Sequence, residues 1–340
     1  MTDWTVLVTP RPFARGDDEL RGALTGAVAD VRWRQDGGLA GAELAKLAAD
    51  ADGWIAGVES IDRAVLAGAE RLRVIARYGV GVDAIDLAAA RERGIVVTNT
   101  PGANSAAVAE LVIGLIFALA RRIPYADRRA RDGVWDRITG VEVEGKVVGL
   151  LGFGAVGREV ARRARALGCR VIAHDPYPAE EVARSLGVEL AARGDVVAAS
   201  DFLSLHLPLL PDTAGLVDAA FLAAMKPGAF LINAARGELV QDGALLDALH
   251  NGHLAGAALD ALSDEPPDSP FAQLDTVILT PHIGAATDRA MRAMGWRALE
   301  NCLAVLRGEP PLDPVAPAIV APDTPAPDAP GAAADPRGRR

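Results

Sequence analysis

The chain has little cysteine: Cys169 and Cys302 are the only two among 340 residues. They lie far apart and form no CxxC pair, which excludes a disulfide framework and gives no expectation of a metal site. No HExxH or paired Cys/His set supplies one either, so no metal is expected. Aromatic residues make up only 4% of the chain; Ala, Val, Leu and Gly dominate, which suits helices packed closely on a parallel sheet. Positive charge is not in excess, since the formal net charge is −10. That balance gives no support to binding a nucleic-acid backbone or an anionic membrane, although a local basic pocket for a small anion is compatible with it. The N-terminus shows no basic stretch followed by a long apolar run, so no signal peptide is expected. No apolar run approaches 20 residues, the longest (111–120) being about half a membrane span. These absences lead to the expectation of a soluble, reduced, cytoplasmic protein.

What the sequence does have is a large apolar fraction, 50% of residues, and a length that suits two domains. Short β-branched runs alternate with Ala- and Leu-rich stretches. Residues 6–9, 53–56, 74–77 and 96–99 form one series of expected strands. Residues 147–151, 170–174, 202–205, 229–233, 256–259 and 277–280 form a second. Strands separated by helices imply right-handed crossovers and parallel sheets. The expected fold class is therefore α/β, with two doubly wound parallel-sheet domains and a cleft between them. Pro101 and Gly102 mark the boundary, giving a first domain over residues 1–100 and a second over 101–284. The helical segment 285–312 is expected to return to the first domain. The helix over 105–121 is too broadly apolar for a surface helix and should be buried between domains or against a partner subunit. From 313 to 340 the chain is rich in Pro, Ala and Asp without apolar periodicity, and a disordered tail is expected there.

The most diagnostic local chemistry is a GxGxxG turn between an expected strand and an expected helix, carried by Gly152, Gly154 and Gly157 with Ala155 and Val156. Gly152 permits the tight turn, Gly154 lets a pyrophosphate approach the backbone, and Gly157 lets helix and strand pack closely. The helix N-terminus offers unpaired N–H groups to the phosphate. The next strand ends at Asp175, placed to accept hydrogen bonds from ribose hydroxyls and to repel a 2′-phosphate. The expected cofactor is therefore NAD rather than NADP.

Reducing a keto acid needs a cation at the carboxylate or carbonyl, a proton donor at the carbonyl oxygen, and a group that keeps the donor charged. Arg236, Glu265 and His282 each follow the end of a successive strand of the second domain, where loops of a parallel sheet converge on one crevice. Arg236 suits a carboxylate grip in two places, His282 can exchange a proton near neutral pH, and Glu265 could stabilise the imidazolium. Singly, each would more often be ordinary loop or surface material; their order on consecutive strands makes them a set. His206 is expected to line the cofactor groove, His174 to be structural, and His250 and His253 to be exposed.

These motifs resemble the D-isomer-specific 2-hydroxyacid dehydrogenase family, and within it the 3-phosphoglycerate dehydrogenase group. The matching stretches are RYGVGVDAIDL, GIVVTNTPGANSAAVAEL, GLLGFGAVGREVA, SLHLPLLPDTAGL, MKPGAFLINAARGELVQDGAL, GAALDAL and ILTPHIGAAT, covering most of residues 50–290. The resemblance implies a flavodoxin-like substrate domain, a Rossmann NAD-binding domain, and catalysis by Arg236, Glu265 and His282. It also implies cofactor contacts at Gly154, Ala155, Val156, Asp175, Pro208, Thr213, Ala234 and Asp260, and a homodimer joined through the cofactor domain. The substrate is then expected on backbone N–H groups of Gly79, Val80 and Gly81, with Arg77, Tyr78 and Asn104 nearby.

Three departures bear on the substrate. Phosphoglycerate-oxidising members commonly carry an arginine two residues after a strand like Gly53–Ala56, whereas this chain has Gly57, Val58 and Glu59 there. The loss weakens the case for a phosphorylated substrate, which Glu59 would repel if it faced the site. Val80 stands where phosphite-oxidising relatives place a lysine. Regulation through the extra domain of longer phosphoglycerate dehydrogenases is also not expected. Two alternatives stand beside the main reading: the same chemistry on a phosphonate or specialised-metabolism keto acid, and an NAD(H)-sensing binding protein like the C-terminal-binding corepressors, which keep the same triad.

Overall fold

A computed structural model describes residues 3–35, 37–263 and 269–315 of the chain. Two parallel sheets organise it. The first runs β2-β1-β3-β4-β5, built from β1 (Thr5–Val8), β2 (Asp30–Trp33), β3 (Gly53–Ala56), β4 (Val74–Arg77) and β5 (Val96–Thr98). The second has seven strands: β6 (Val147–Leu151), β7 (Arg170–His174), β8 (Glu189–Leu190), β9 (Phe202–Leu205), β10 (Ala229–Asn233), β11 (Leu254–Leu259) and β12 (Val277–Leu279). Their order is β12-β11-β10-β9-β6-β7-β8, and every pairing in both sheets is parallel. This is the two-domain α/β architecture expected, the first sheet with flavodoxin-like strand order and the second with the doubly wound Rossmann order.

The central strands are buried on both faces and therefore read as continuous apolar runs, which is why β1, β3 and β6 stand out in the sequence. Helix Ser105–Ala120 packs on the second sheet, with Val112, Ile116 and Leu119 in one cluster with Val148, Leu150 and Ile232. Helix Asp288–Arg307 covers the first sheet instead: Met294, Ala298, Leu299, Cys302 and Leu306 pack with Val6, Val8, Ile55 and Val74. Gly53 allows that approach, since a Cβ there would lie 2.9 Å from the Cys302 sulfur.

Residues 313–315, expected as the start of a tail, are docked on the first domain. Asp313 accepts hydrogen bonds from Arg297 Nη2 and Asn301 Nδ2, both at 3.0 Å, and the Val315 N–H donates to the Val97 carbonyl at 2.8 Å. Composition hides this, because the docking is made by two polar side chains of the preceding helix and by the free edge of β5. Residues 316–340 lie outside the described residues. Among the described residues, no helix is long and apolar enough to cross a membrane, and no cluster of His, Cys, Asp and Glu could hold a metal ion.

Candidate active site

Parallel strands deliver their following loops to one edge, and here the C-terminal edges of the two sheets meet. The glycine turn after β6 has the geometry its sequence suggests. Gly152 has φ +98°, and a Cβ on it would run into the His206 carbonyl. A Cβ on Gly157 would overlap the Gly152 carbonyl oxygen, so both glycines are required by the protein's own packing. Gly154 differs. It caps helix Ala155–Ala166, and a Cβ there would meet nothing within 4 Å. The space in front of that helix terminus is open, as a pyrophosphate requires.

Asp175 sits just past β7, where its carboxylate accepts the Phe153 N–H at 2.7 Å and the Tyr177 N–H at 2.9 Å. Each oxygen keeps a lone pair for a ribose hydroxyl. A hollow of about 430 Å³ opens beside it, lined by His174, Asp175, Pro178, Leu190 and Ala192 among others. The Thr213 hydroxyl donates to the Pro208 carbonyl at 2.7 Å and accepts the Leu210 N–H at 2.8 Å, so these two expected contacts belong to one turn. His206 lies beneath the glycine turn with Nε2 buried and unpartnered among the described residues. Burial pushes its imidazole down to about 4, so it stays neutral at physiological pH.

The loops after β10, β11 and β12 carry the hydride-chemistry candidates. Arg236 follows Asn233, whose buried side chain shapes the turn by donating to the Arg236 carbonyl at 2.7 Å and accepting the Ala235 N–H at 3.1 Å. Ala234, half-buried, lies in the same turn. Gly237 lets this loop press onto the backbone of Leu262 and Ser263, which a Cβ would overlap. Glu265 lies outside the described residues. His282 sits in a left-handed conformation, φ +51°, with its N–H donating to the Thr280 carbonyl at 2.9 Å. That loop is held by Asp260, which is 2% exposed. Its Oδ1 accepts from the Thr280 hydroxyl at 2.6 Å and the Ile283 N–H at 2.8 Å, and its Oδ2 accepts the Gly284 N–H at 2.8 Å. Asp260, expected only as a cofactor contact, thus also ties down the residues on either side of His282.

Arg236 crosses to the first domain. Its Nη2 and Nε lie 3.0 and 3.1 Å from Asp83, and it passes so close to Gly81 that a Cβ there would overlap the guanidinium. Burial pushes the Asp83 carboxyl up, but the ion pair with Arg236 outweighs this and holds it below the usual carboxylate range. Asp83 lies in the quoted RYGVGVDAIDL stretch, yet only the fold reveals its partner. The loop of residues 79–81 is anchored by Thr100 and Asn99, which donate to the Gly79 and Val80 carbonyls at 3.0 and 2.8 Å. The Val80 and Gly81 N–H groups have no acceptor among the described residues.

Of two further expected substrate contacts, Tyr78 has its side chain turned into the core. The Tyr78 ring is buried in the first domain against Phe13, and its hydroxyl donates to the Met291 carbonyl at 3.1 Å. The residue next to a glycine loop alternates to the other face of the strand, so the phenol points into the core. Asn104 caps helix Ser105–Ala120 without a side-chain hydrogen bond to it.

Residues 113–284 match the model of the D-isomer specific 2-hydroxyacid dehydrogenase NAD-binding domain. The chain belongs to the D-isomer specific 2-hydroxyacid dehydrogenase family. NAD is accordingly its cofactor, and the open face at Gly154 and the hollow beside Asp175 fit it. A D-3-phosphoglycerate dehydrogenase of Methanocaldococcus jannaschii is 46% identical over 253 residues, 73% of this chain and 48% of that protein. The chain thus spans about half the length of the curated relatives it matches. A solved structure from Thermus thermophilus aligns at TM-score 0.83 with 41% identity, covering 92% of this chain and 100% of the other. A glyoxylate reductase of Paecilomyes thermophila aligns at TM-score 0.82 with 29% identity, covering 93% and 99%.

The three glycines should separate on substitution. Gly154→Ala is expected to leave the melting temperature nearly unchanged while weakening NADH binding about tenfold or more, read by fluorescence titration. Gly157→Ala should lower the melting temperature, because its Cβ meets backbone. Equal effects of both variants on stability would contradict this division.

Proposed function

We propose that the chain is an NAD-dependent dehydrogenase interconverting a D-2-hydroxy acid and a 2-keto acid in the cleft between its two sheets. The observation that carries this reading is Arg236 lying against residues 79–81, whose Val80 and Gly81 N–H groups await an acceptor. A fixed guanidinium fork beside two backbone donors suits a planar carboxylate. The Asp83 carboxylate holds the fork meanwhile, as a stand-in for the substrate's own.

When bound, NAD supplies the hydride in reduction and accepts it in oxidation. Arg236 and the 79–81 loop orient the acid so that C2 faces the cofactor. His282 gives a proton to the carbonyl oxygen in reduction and takes it from the hydroxyl in oxidation. Asp260 keeps the His282 loop in place. Glu265 is assigned, on the family resemblance, the role of favouring the charged imidazole. The residues that would hold NAD are Gly152, Gly154, Ala155, Val156, Gly157, Asp175, Pro208, Thr213 and Ala234.

The partner of this chain in the proposed assembly is a second copy, joined through the NAD-binding domain. Trp135 is 88% exposed and Ile123 53% exposed, and both follow helix Ser105–Ala120, whose Leu111, Ile113 and Phe117 are only partly buried. Apolar surface of that extent favours a self-complementary contact. Sedimentation of the full chain at the mass of one copy would contradict the dimer.

Arg236→Ala and His282→Asn should each lower kcat/KM for the keto acid by about a thousandfold, with NADH binding retained. Glu265→Gln should lower kcat/KM by less than either, since Glu265 acts through His282 rather than on the substrate. Near-normal turnover by the Arg236 or His282 variant would contradict the assignment.

A further inference from the structure

We infer that this cleft takes a 2-keto acid carrying a single negative charge, with an uncharged side chain, and that Glu59 enforces the restriction. The inference rests on the dehydrogenase reading above and names the substrate class of that same site.

Strands β3 and β4 pair with Ala56 opposite Arg77, so residues 57–59 and 78–81 leave the sheet edge side by side. Glu59 is fixed over that edge. Its Oε1 accepts the Gly57 N–H at 2.9 Å and the hydroxyl of Thr9, at the end of β1. The Thr9 oxygen in turn accepts Nε1 of the fully buried Trp54 at 3.0 Å. The second carboxylate oxygen of Glu59 has no donor among the described residues. This is a half-buried carboxylate held by two donors just past the end of β3, next to the strand that leads into residues 78–81.

Both arginines that reach these loops already have partners there, Arg77 on backbone carbonyls and Arg236 on a carboxylate. Arg77 donates from Nε to the Gly81 carbonyl at 3.0 Å and from Nη1 to the Tyr78 carbonyl. Burial weakens its hold on the proton, and the charges of Glu59 and Asp83 counter that, so both carboxylates lie within electrostatic reach of it. Arg236 is paired with Asp83 and also donates to the Ala235 carbonyl at 2.7 Å. A substrate carboxylate that displaces Asp83 from Arg236 leaves the Asp83 charge behind in the cleft. A phosphate, phosphonate or second carboxylate on the same substrate would then face Asp83 and Glu59 together. Like charges within about 5 Å of each other cost about tenfold or more in affinity. A neutral side chain meets no such opposition, and the partly exposed Val80 offers it apolar contact.

The test uses two acids that differ only in the phosphate, hydroxypyruvate and its 3-phosphate ester, with NADH oxidation followed for the full chain and for Glu59→Gln. The glutamine amide oxygen still accepts from Gly57 and Thr9, and an unchanged melting temperature would check that the loop survives. The wild-type chain is expected to favour hydroxypyruvate in kcat/KM by about tenfold or more. Glu59→Gln should narrow that ratio several-fold through the KM of the ester, with less effect at high salt. A wild-type preference for the ester, or a ratio unmoved by Glu59→Gln in a normally folded variant, would overturn the inference and leave the dehydrogenase reading standing. If neither acid were reduced, the dehydrogenase reading would fall instead. Competition of glycerate and 3-phosphoglycerate for the NADH-loaded protein would still decide the charge rule, tighter binding of the phosphorylated acid refuting it.

Discussion

How closely the loops at the two sheet edges can approach sets the whole site, and that closeness depends on side chains missing at Gly81 and Gly237. Gly237 lets the loop after β10 lie on the backbone of Leu262 and Ser263, and Gly81 lets Arg236 lie on the first domain. The resulting ion pair with Asp83 is a modest one: the two side chains are 27% and 34% exposed. Pairs of that exposure contribute about 1 kcal/mol or less. On the proposed reading, a substrate carboxylate with two extra N–H donors to bind replaces Asp83 at little cost. The same pair ties the domains together through one guanidinium.

Asp260 serves a parallel purpose on the proton side. A histidine at φ +51° is held against its backbone preference, and the cost of about 1 kcal/mol or more has to be met by surrounding contacts. Three hydrogen bonds to one buried carboxylate, two from backbone N–H groups and one from Thr280, are sufficient. The loop that carries His282 is thus fixed by the Asp260 carboxylate at the end of β11.

Much of this was readable from residues in order. Strands β3, β4, β6, β7, β9 and β10 coincide with the apolar runs at 53–56, 74–77, 147–151, 170–174, 202–205 and 229–233. Strands β2 and β8 did not stand out, because both are edge strands whose exposed sides carry Asp30, Arg32 and Glu189 and so break the apolar signal. The glycine turn and Asp175 were legible because the backbone demands those residue types locally. The partners Asp83 and Arg236 were not paired from sequence, since they are separated by the whole first crossover and most of the second sheet. Tyr78 was misplaced for a similar reason: adjacency to a glycine loop says nothing about which face of β4 a side chain takes. Residues 313–315 of the expected tail find partners on the fold through Asp313 and Val315, which a Pro- and Asp-rich composition does not signal.

The central claim is that hydride passes between NAD(H) and C2 of an acid held by Arg236 and residues 79–81, with D configuration at the new centre. Incubating the full chain with NADH deuterated at both C4 positions and hydroxypyruvate, then resolving the product by chiral chromatography and mass spectrometry, tests it most directly. The account predicts D-glycerate with one deuterium at C2. L-glycerate, deuterium elsewhere, or no conversion with NADH bound would contradict it.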